Sequence, residues 1–356
     1  MVDLVVGSGQ GGCRLGWEIA QSMDIPSAHC NLSEVDFAKL PIPLKDKFLL
    51  HCGGTGRDPE LGEKYVKKHV AELKIFLSKY TYDAEKGSVM LVVGGGGGSG
   101  AGFLPHLLKY FVNLRKIDHI MLVYTLPEYS EGVPTKPNAI ATLNRVISEY
   151  STQIAITLID NDYMANKYGH QGSESYWKHI NTRVTNVFKK LWLLTNLEKG
   201  KNYYDMASGF KAIDLHDLQR AMFKTNGYVD VRELRLEGRL QKDTKIIHQV
   251  FSASSLIMEG LEESTAKSYV VILGIPDDYR GRDQVMRYVD GIFRVVGNIL
   301  QTPDVIRVNY YNKKLKHVKL LVVMAGVTGN SKLKQLKVSY QKDMQILAKQ
   351  TGLTVI

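Results

Sequence analysis

Seven glycines fall within the eleven residues Val92–Gly102, read VVGGGGGSGAG, directly behind an apolar run. Glycine costs about 1 kcal/mol per position relative to alanine inside a regular element. Such a density implies that something approaches the backbone more closely than a side chain would allow. Main-chain N–H groups at a helix start, with the helix dipole behind them, attract anions, and glycine lets the chain close on phosphate oxygens. Two more loops share this character: GSGQGGCRLG at Gly7–Gly16, and GGTGRDPELG at Gly53–Gly62, where Arg57 stands beside the glycines. Alone, Gly7-x-Gly9-x-x-Gly12 is a weak dinucleotide fingerprint. Three glycine loops on one sheet edge point instead to a nucleotide triphosphate clasped from several sides. No GxxxxGK[ST] occurs, so this is not a P-loop protein. Cys13 falls at a helix N-terminus, where a thiol pKa can drop, although packing is the first reason for a cysteine there.

Loops of this kind need strands before them and helices after them. The first 160 residues repeat that rhythm, with apolar runs at Leu4–Val6, Phe48–His51, Val89–Val93, His119–Thr125 and Ile154–Ile159, and a weaker one at Ser27–Cys30. Segments with helical spacing of apolar residues lie between them, for example Tyr65–Tyr80 and Phe103–Leu114. Nearly all-apolar strands alternating with helices argue for a parallel sheet covered on both faces, in which ligands sit at the carboxyl ends of the strands. From Ser173 runs a long helical pattern, SESYWKHINTRVTNVFKKLWLLTN. Further strands are expected at Tyr269–Ile275, Val305–Tyr311 and Val318–Ala325, with a helix at Arg282–Ile299. The segment SKLKQLKVSYQKDMQILAK puts Leu333, Leu336, Tyr340, Met344 and Leu347 on one helical face with lysines around it. The fold class is α/β: a parallel Rossmann-like domain, a long central helix, a smaller α/β C-terminal domain and an extended C-terminal helix.

Composition narrows the function classes. A chain of 356 residues, 44% hydrophobic, can bury a large core. No apolar run reaches the ~20 residues that span a bilayer, and MVDLVVGSG lacks the basic start of a signal peptide. The three cysteines, Cys13, Cys30 and Cys52, have no CxxC spacing, which favours a reducing cytoplasmic setting over a disulfide frame or zinc site. The net charge of +10 comes without a dense Lys/Arg arm, so it reads as solvated lysines and little direct nucleic-acid binding is expected. The histidines show no metal-ligand spacing.

Gly94–Gly100, GGGGGSG, resembles the GGGTGSG signature of the tubulin/FtsZ superfamily, with Gly97 in place of its threonine. Gly9-Gln10-Gly11-Gly12 resembles the first phosphate loop of that family, and Gly53–Glu60 the loop that senses the γ-phosphate. The resemblance implies GTP and GDP as ligands, with Mg2+ held mainly by phosphates and water near Gln10. It also implies a pocket drawn from Gly9, Gln10, Gly11, Gly12, Cys13, Asn31, Gly54, Thr55, Gly56, Arg57, Gly95, Gly96, Gly97, Gly98, Ser99 and Gly100. For the base, the family pattern implies Asn161, in LIDND, and the start of the central helix, where Trp177 and Asn181 are four apart and share a face. An aromatic ring there stacks on the base while an amide reads its polar edge. Glu131 resembles the ribose-facing position. SGFKAIDLHDLQRAM resembles the catalytic loop, with Asp214 and Asp217 as its acids and Ala212 where the family has asparagine. In the family this loop completes the pocket of the next subunit, so hydrolysis requires a filament. Two carboxylates at a helix start can orient the attacking water and take its proton, and they also serve as an N-cap and acidic first turn.

The resemblance implies residues 1–172 as a GTP-binding domain, 173–200 as the central helix, 201–330 as the activation domain with its catalytic loop at 205–218, and 331–356 as the C-terminal helix and tail. A basic amphipathic C-terminal helix is similar to that of the TubZ group, plasmid- or phage-encoded relatives that move DNA. That likeness implies a head-to-tail protofilament, a TubR-like adaptor on centromere-like DNA, no membrane partner, and a leucine face available to the neighbouring subunit. The alternatives are an FtsZ-like division GTPase and a PhuZ-like filament that positions phage DNA. Further off are an NAD-dependent oxidoreductase, resting on Gly7–Gly12 alone, and a direct nucleic-acid binder, resting on net charge.

Overall fold

The structure, a computed structural model, describes residues 2–81, 87–114, 117–128, 131, 134–169, 173–195, 215–223, 227–279, 284–301 and 304–351. Strand and helix alternate through the first part: β1 (Leu4–Ser8), α1 (Gly9–Met23), β2 (Ser27–Asn31), α2 (Glu34–Ala38), β3 (Lys47–Leu49), α3 (Pro59–Lys68) and α4 (Val70–Thr81). Then come β4 (Gly87–Gly94), α5 (Gly98–Val112), β5 (Ile117–Leu126), α6 (Thr135–Tyr150), β6 (Ile154–Asp160), α7 (Asn161–Tyr168) and the long α8 (Ser173–Thr195). The second part holds α9 (Leu215–Phe223), β7 (Gly227–Leu236), α10 (Leu240–Val250), β8 (Ser268–Pro276), α11 (Gln284–Leu300), β9 (Asp304–Asn312), β10 (Val318–Val327) and α12 (Ser331–Thr351).

All ten strands join one sheet in the order β3-β2-β1-β4-β5-β6-β7-β10-β8-β9. The first six are parallel throughout. Their 3-2-1-4-5-6 order places a topological switch point between β1 and β4, where ligands of such sheets bind. The other half is mixed: β10 runs antiparallel to both β7 and β8, and β8 is parallel to β9. The halves meet where Ala155 and Ile156 of β6 pair with Gly227 and Tyr228 of β7. Alternate residues of β4 feed two cores. Leu91 and Val93 join Phe103 and Leu107 of α5 on one face. Met90 and Val92 join Ile19 of α1 and Val184 and Phe188 of α8 on the other. Strands with both faces covered are apolar on both, which is why β4 reads as an unbroken hydrophobic run over Val89–Val93 and β6 as one interrupted only by Thr157 over Ile154–Ile159.

The expected strands are present, including the weaker β2. The expected single helix over Tyr65–Tyr80 is two, α3 and α4, parted at His69, and Val66, Leu73 and Leu77 are all buried. β7 and α10 had no counterpart in the sequence reading. β7 alternates apolar and polar residues over Val229–Arg232 and again over Glu233–Leu236, but the phase slips between Arg232 and Glu233, and Asp230 and Arg232 are themselves buried and joined at 3.0 Å. The start of α12 is tied to its own chain: Leu336 is buried, and Lys332 pairs with Asp160 at 3.2 Å and Glu259 at 3.1 Å. The first turns of the leucine face are therefore occupied internally. Among the described residues, no helix is long and apolar enough to cross a membrane.

Candidate functional site

Helices α1 and α5 both begin at the switch point. Neither has an acidic residue in its first turn, and neither N-cap, Ser8 or Gly97, makes a side-chain cap bond. Two other helices do carry a carboxylate cap: Asp58 accepts from the N–H groups of Glu60 and Leu61 on α3, and Asp160 from that of Tyr163 on α7. The first N–H groups of α1 and α5 are thus left without a carboxylate at the two positive helix ends that open on the switch point. A cavity of about 440 Å³ lies there, lined by Gly9, Gln10 and Gly11 of α1 and by Gly95, Gly96, Gly97, Ser99 and Gly100 around the start of α5.

The glycines divide into two groups. Gly11 and Gly97 have nothing within 4 Å of where a Cβ would stand, so they face open cavity. A Cβ on Gly12 would strike the Val92 carbonyl oxygen of β4 and come within 3.1 Å of Val93 Cα. One on Gly98 would fall on Thr55 Oγ1 and lie 2.7 Å from the Asp58 carbonyl oxygen. A good part of the glycine density therefore serves backbone-to-backbone packing of helix on strand and of α5 on α3. Open room for a phosphate is confined to part of the run that the sequence expectation assigned to it whole.

The loop Gly53–Arg57 reaches the cavity through Arg57 alone; Gly54, Thr55 and Gly56 are not among the lining residues. Arg57 is held at φ 69, in the left-handed region that costs an ordinary residue about 1 kcal/mol. Its carbonyl accepts a 2.6 Å bond from Asn138 Nδ2, which steadies the turn. Cys13 and Asn31 also lie outside the lining. Cys13 packs with Phe37, Leu40 and Ile42 and directs Sγ to the Cys30 carbonyl at 3.4 Å, and burial raises its thiol pKa well above the usual value. An N-terminal dipole does not win against that desolvation. Asn31 uses Oδ1 to accept from the backbone N–H of Leu32 at 2.8 Å and of Ser33 at 3.3 Å.

At its other end the cavity takes Trp177, Ile180, Asn181 and Val184 from α8, Leu15 from α1, and Ile159 and Asn161 where β6 passes into α7. The sequence expectation for the base end is thus assembled in space, with an aromatic ring, two amides and aliphatic walls. Asn181 Nδ2 donates to Glu18 Oε1 at 3.1 Å. Glu131 lines the cavity beside Asn161, whose amide hydrogen-bonds to its carboxylate. Burial raises the Glu131 pKa, while the Glu128 N–H, the Arg57 charge and Asn161 act the other way. Arg14, Asp36 and Thr135 also line the cavity and went unmarked in the sequence reading. Arg14 was findable, standing four residues after Gln10 on the same helical face; Asp36 and Thr135 carried no local signal.

The acidic loop falls largely outside the described residues, including Gly209, Ala212 and Asp214. Asp217 is described, in the first turn of α9, and does not line its own chain's cavity. Arg220 lies 3.8 Å from it and 3.7 Å from Asp304.

A Rossmann-order parallel half, a long helix against its underside and a mixed second half make this a tubulin/FtsZ-like fold. CetZ2 from Haloferax volcanii, solved as a GTPγS-bound protofilament, matches over 98% of this chain and 99% of its own, with a TM-score of 0.73 and 19% identity. TubZ from Bacillus thuringiensis serovar israelensis, solved as a GTPγS-form protofilament, matches over 99% of this chain and 93% of its own, with a TM-score of 0.78 and 14% identity. In sequence, the tubulin-like protein CetZ of Pyrococcus furiosus is 22% identical over 365 aligned positions, covering 99% of this chain and 93% of that protein. No protein-family model matches the chain. The likeness extends to CetZ as well as TubZ proteins, so it does not single out the TubZ group that the C-terminal helix suggested.

Proposed function

We propose that this chain is a tubulin-like GTPase that assembles head to tail and hydrolyses GTP where the acidic loop of one subunit meets the phosphate end of the next. One observation carries the reading: two uncapped, acid-free helix N-termini open on a single cavity whose far end holds Trp177, Asn161 and Asn181. A triphosphate suits the first feature and a purine the second. The open faces of Gly11 and Gly97 leave room for phosphate oxygens, with Arg57 at the rim. Mg2+ would ride on the phosphates near Gln10, keeping most of its waters and neutralising charge during transfer. Asp214 and Asp217, supplied by the neighbouring subunit, would orient the attacking water and take its proton. That the CetZ2 and TubZ chains were solved as protofilaments supports self-assembly.

We further propose a cytoplasmic filament that moves or positions plasmid or phage DNA through a TubR-like adaptor, with the exposed lysines Lys334, Lys337 and Lys342 of α12 facing the adaptor or its DNA. The test is light scattering and pelleting with GTP, GDP and ATP. Polymer should form with GTP alone, and turnover per subunit should rise steeply above a critical protein concentration. Turnover per subunit that is unaffected by dilution overturns the shared-site mechanism. Adding adaptor–DNA complexes to the polymer tests the cargo: no co-pelleting with any centromere-like repeat removes the segregation role.

A further inference from the structure

The α1 wall of the cavity carries Gln10 and Arg14, and Glu18 extends that row by one more turn, just beyond the lining residues. From there Glu18 Oε1 accepts the 3.1 Å bond from Asn181 Nδ2, across from α1 to α8. Asn181 is 7% exposed and lines the cavity. We infer that Glu18 is a positioning residue: it fixes which way the Asn181 amide points and thereby selects a purine that offers N–H donors at N1 and at C2. This deepens the GTP reading above and rests on it.

An ionised carboxylate can only accept hydrogen bonds, so the amide must turn its nitrogen toward Glu18, and its oxygen is then the group left for the ligand. Guanine presents donors at N1 and at its 2-amino group and can satisfy that oxygen. Adenine has an acceptor at N1 and no amino group at C2, and its 6-amino donor stands where guanine has O6. An amide oxygen set for guanine N1–H and the 2-amino group would meet the adenine N1 lone pair in a largely desolvated place. Burial raises the Glu18 pKa, and the Asn181 bond with the nearby charges of Arg14 and Lys178 opposes that rise. A glutamine at position 18 would remove the constraint, because its own amide can donate to Asn181 and let that amide turn over.

The experiment is calorimetric titration of the full chain with GTP, and with XTP, which has a carbonyl oxygen in place of the 2-amino donor. Wild type is expected to prefer GTP. Glu18→Gln, nearly isosteric at a partly exposed position, should lower the GTP-to-XTP preference by about tenfold. In an Asn181→Ala background the same change should alter GTP affinity less than twofold, since Glu18 acts through the amide. A parental preference in Glu18→Gln, or an equal loss in both backgrounds, overturns the positioning role while leaving the GTP reading intact. A wild-type chain that binds neither nucleotide overturns the GTP reading, and this inference with it.

Discussion

Two adjacent glycines, Gly11 and Gly12, should respond in opposite ways to the same substitution. Both lie in the first turn of α1, and neither has a positive φ. Around Gly11 nothing stands within 4 Å of a Cβ. Alanine there relieves the helix of a poor former and should raise stability by up to about 1 kcal/mol. The same methyl, however, projects into the space assigned to phosphate oxygens, beside N–H groups that must be approached to within about 3 Å. Nucleotide affinity should fall at least tenfold. At Gly12 the added carbon would lie 3.1 Å from both the Val92 carbonyl carbon and Val93 Cα, against the ~3.5–4.0 Å of an ordinary carbon contact. It would also clash with the Val92 oxygen. These are β-strand backbone atoms and cannot step aside, so α1 must lift away from β4 and open a packed core. Overpacking of this kind costs about 3 kcal/mol or more. Urea unfolding without nucleotide gives the stabilities, and calorimetry gives the affinities. If Gly11→Ala binds GTP as tightly as the parent, or Gly12→Ala unfolds at the parental urea midpoint, the division of the glycines into ligand-facing and packing roles is wrong.

Asp214→Ala should keep GTP affinity within about twofold and lower turnover at least a hundredfold, leaving long-lived polymer, because binding and hydrolysis come from different subunits; parental turnover would remove the acid from the mechanism. The fluorescence of Trp177, read in a variant whose other tryptophans are replaced by phenylalanine, should change on saturation with GTP, and an unchanged spectrum would sink the stacking role. Burial pushes the His29 imidazole down to about 3, with the Lys47 charge acting the same way, and neither ring nitrogen has a partner. The unfolded chain therefore takes up this proton first, near pH 6.5. The contribution of neutral His29 is complete above that pH and is lost as pH falls toward 3, by about 2 kcal/mol between pH 6.5 and 5. A His29→Leu variant should lose correspondingly less stability over that interval in urea titrations, and an unaltered pH slope would refute the burial argument.

Much of the first half of the fold could be read directly. Strands such as β4 and β6, covered on both faces, are nearly all apolar, and the glycine-rich stretches behind such strands mark the sheet edge on which the cavity opens. Trp177 and Asn181 were legible as a pair because helical spacing alone puts residues four apart on one face. β7 was not, since its charge is neutralised by a contact made in space: Arg232 finds Asp230, and also the carbonyls of Phe251 and Leu261, far along the chain. The two-helix form of Tyr65–Tyr80 was equally hidden, because local periodicity does not register a one-residue break.

Residue types and their order sufficed for an α/β chain with a phosphate-seeking sheet edge, since propensity, periodicity and glycine's missing side chain are local properties. Tertiary structure decided which glycines face the open cavity and which face another backbone, because that depends on what stands within 4 Å of each Cβ position rather than on neighbours in sequence. It likewise decided that Cys13 is a core thiol, and that Glu18, 163 residues before Asn181, accepts a hydrogen bond from its amide at the cavity wall. Such pairings are set by how helices cross over a sheet, and no linear spacing encodes them.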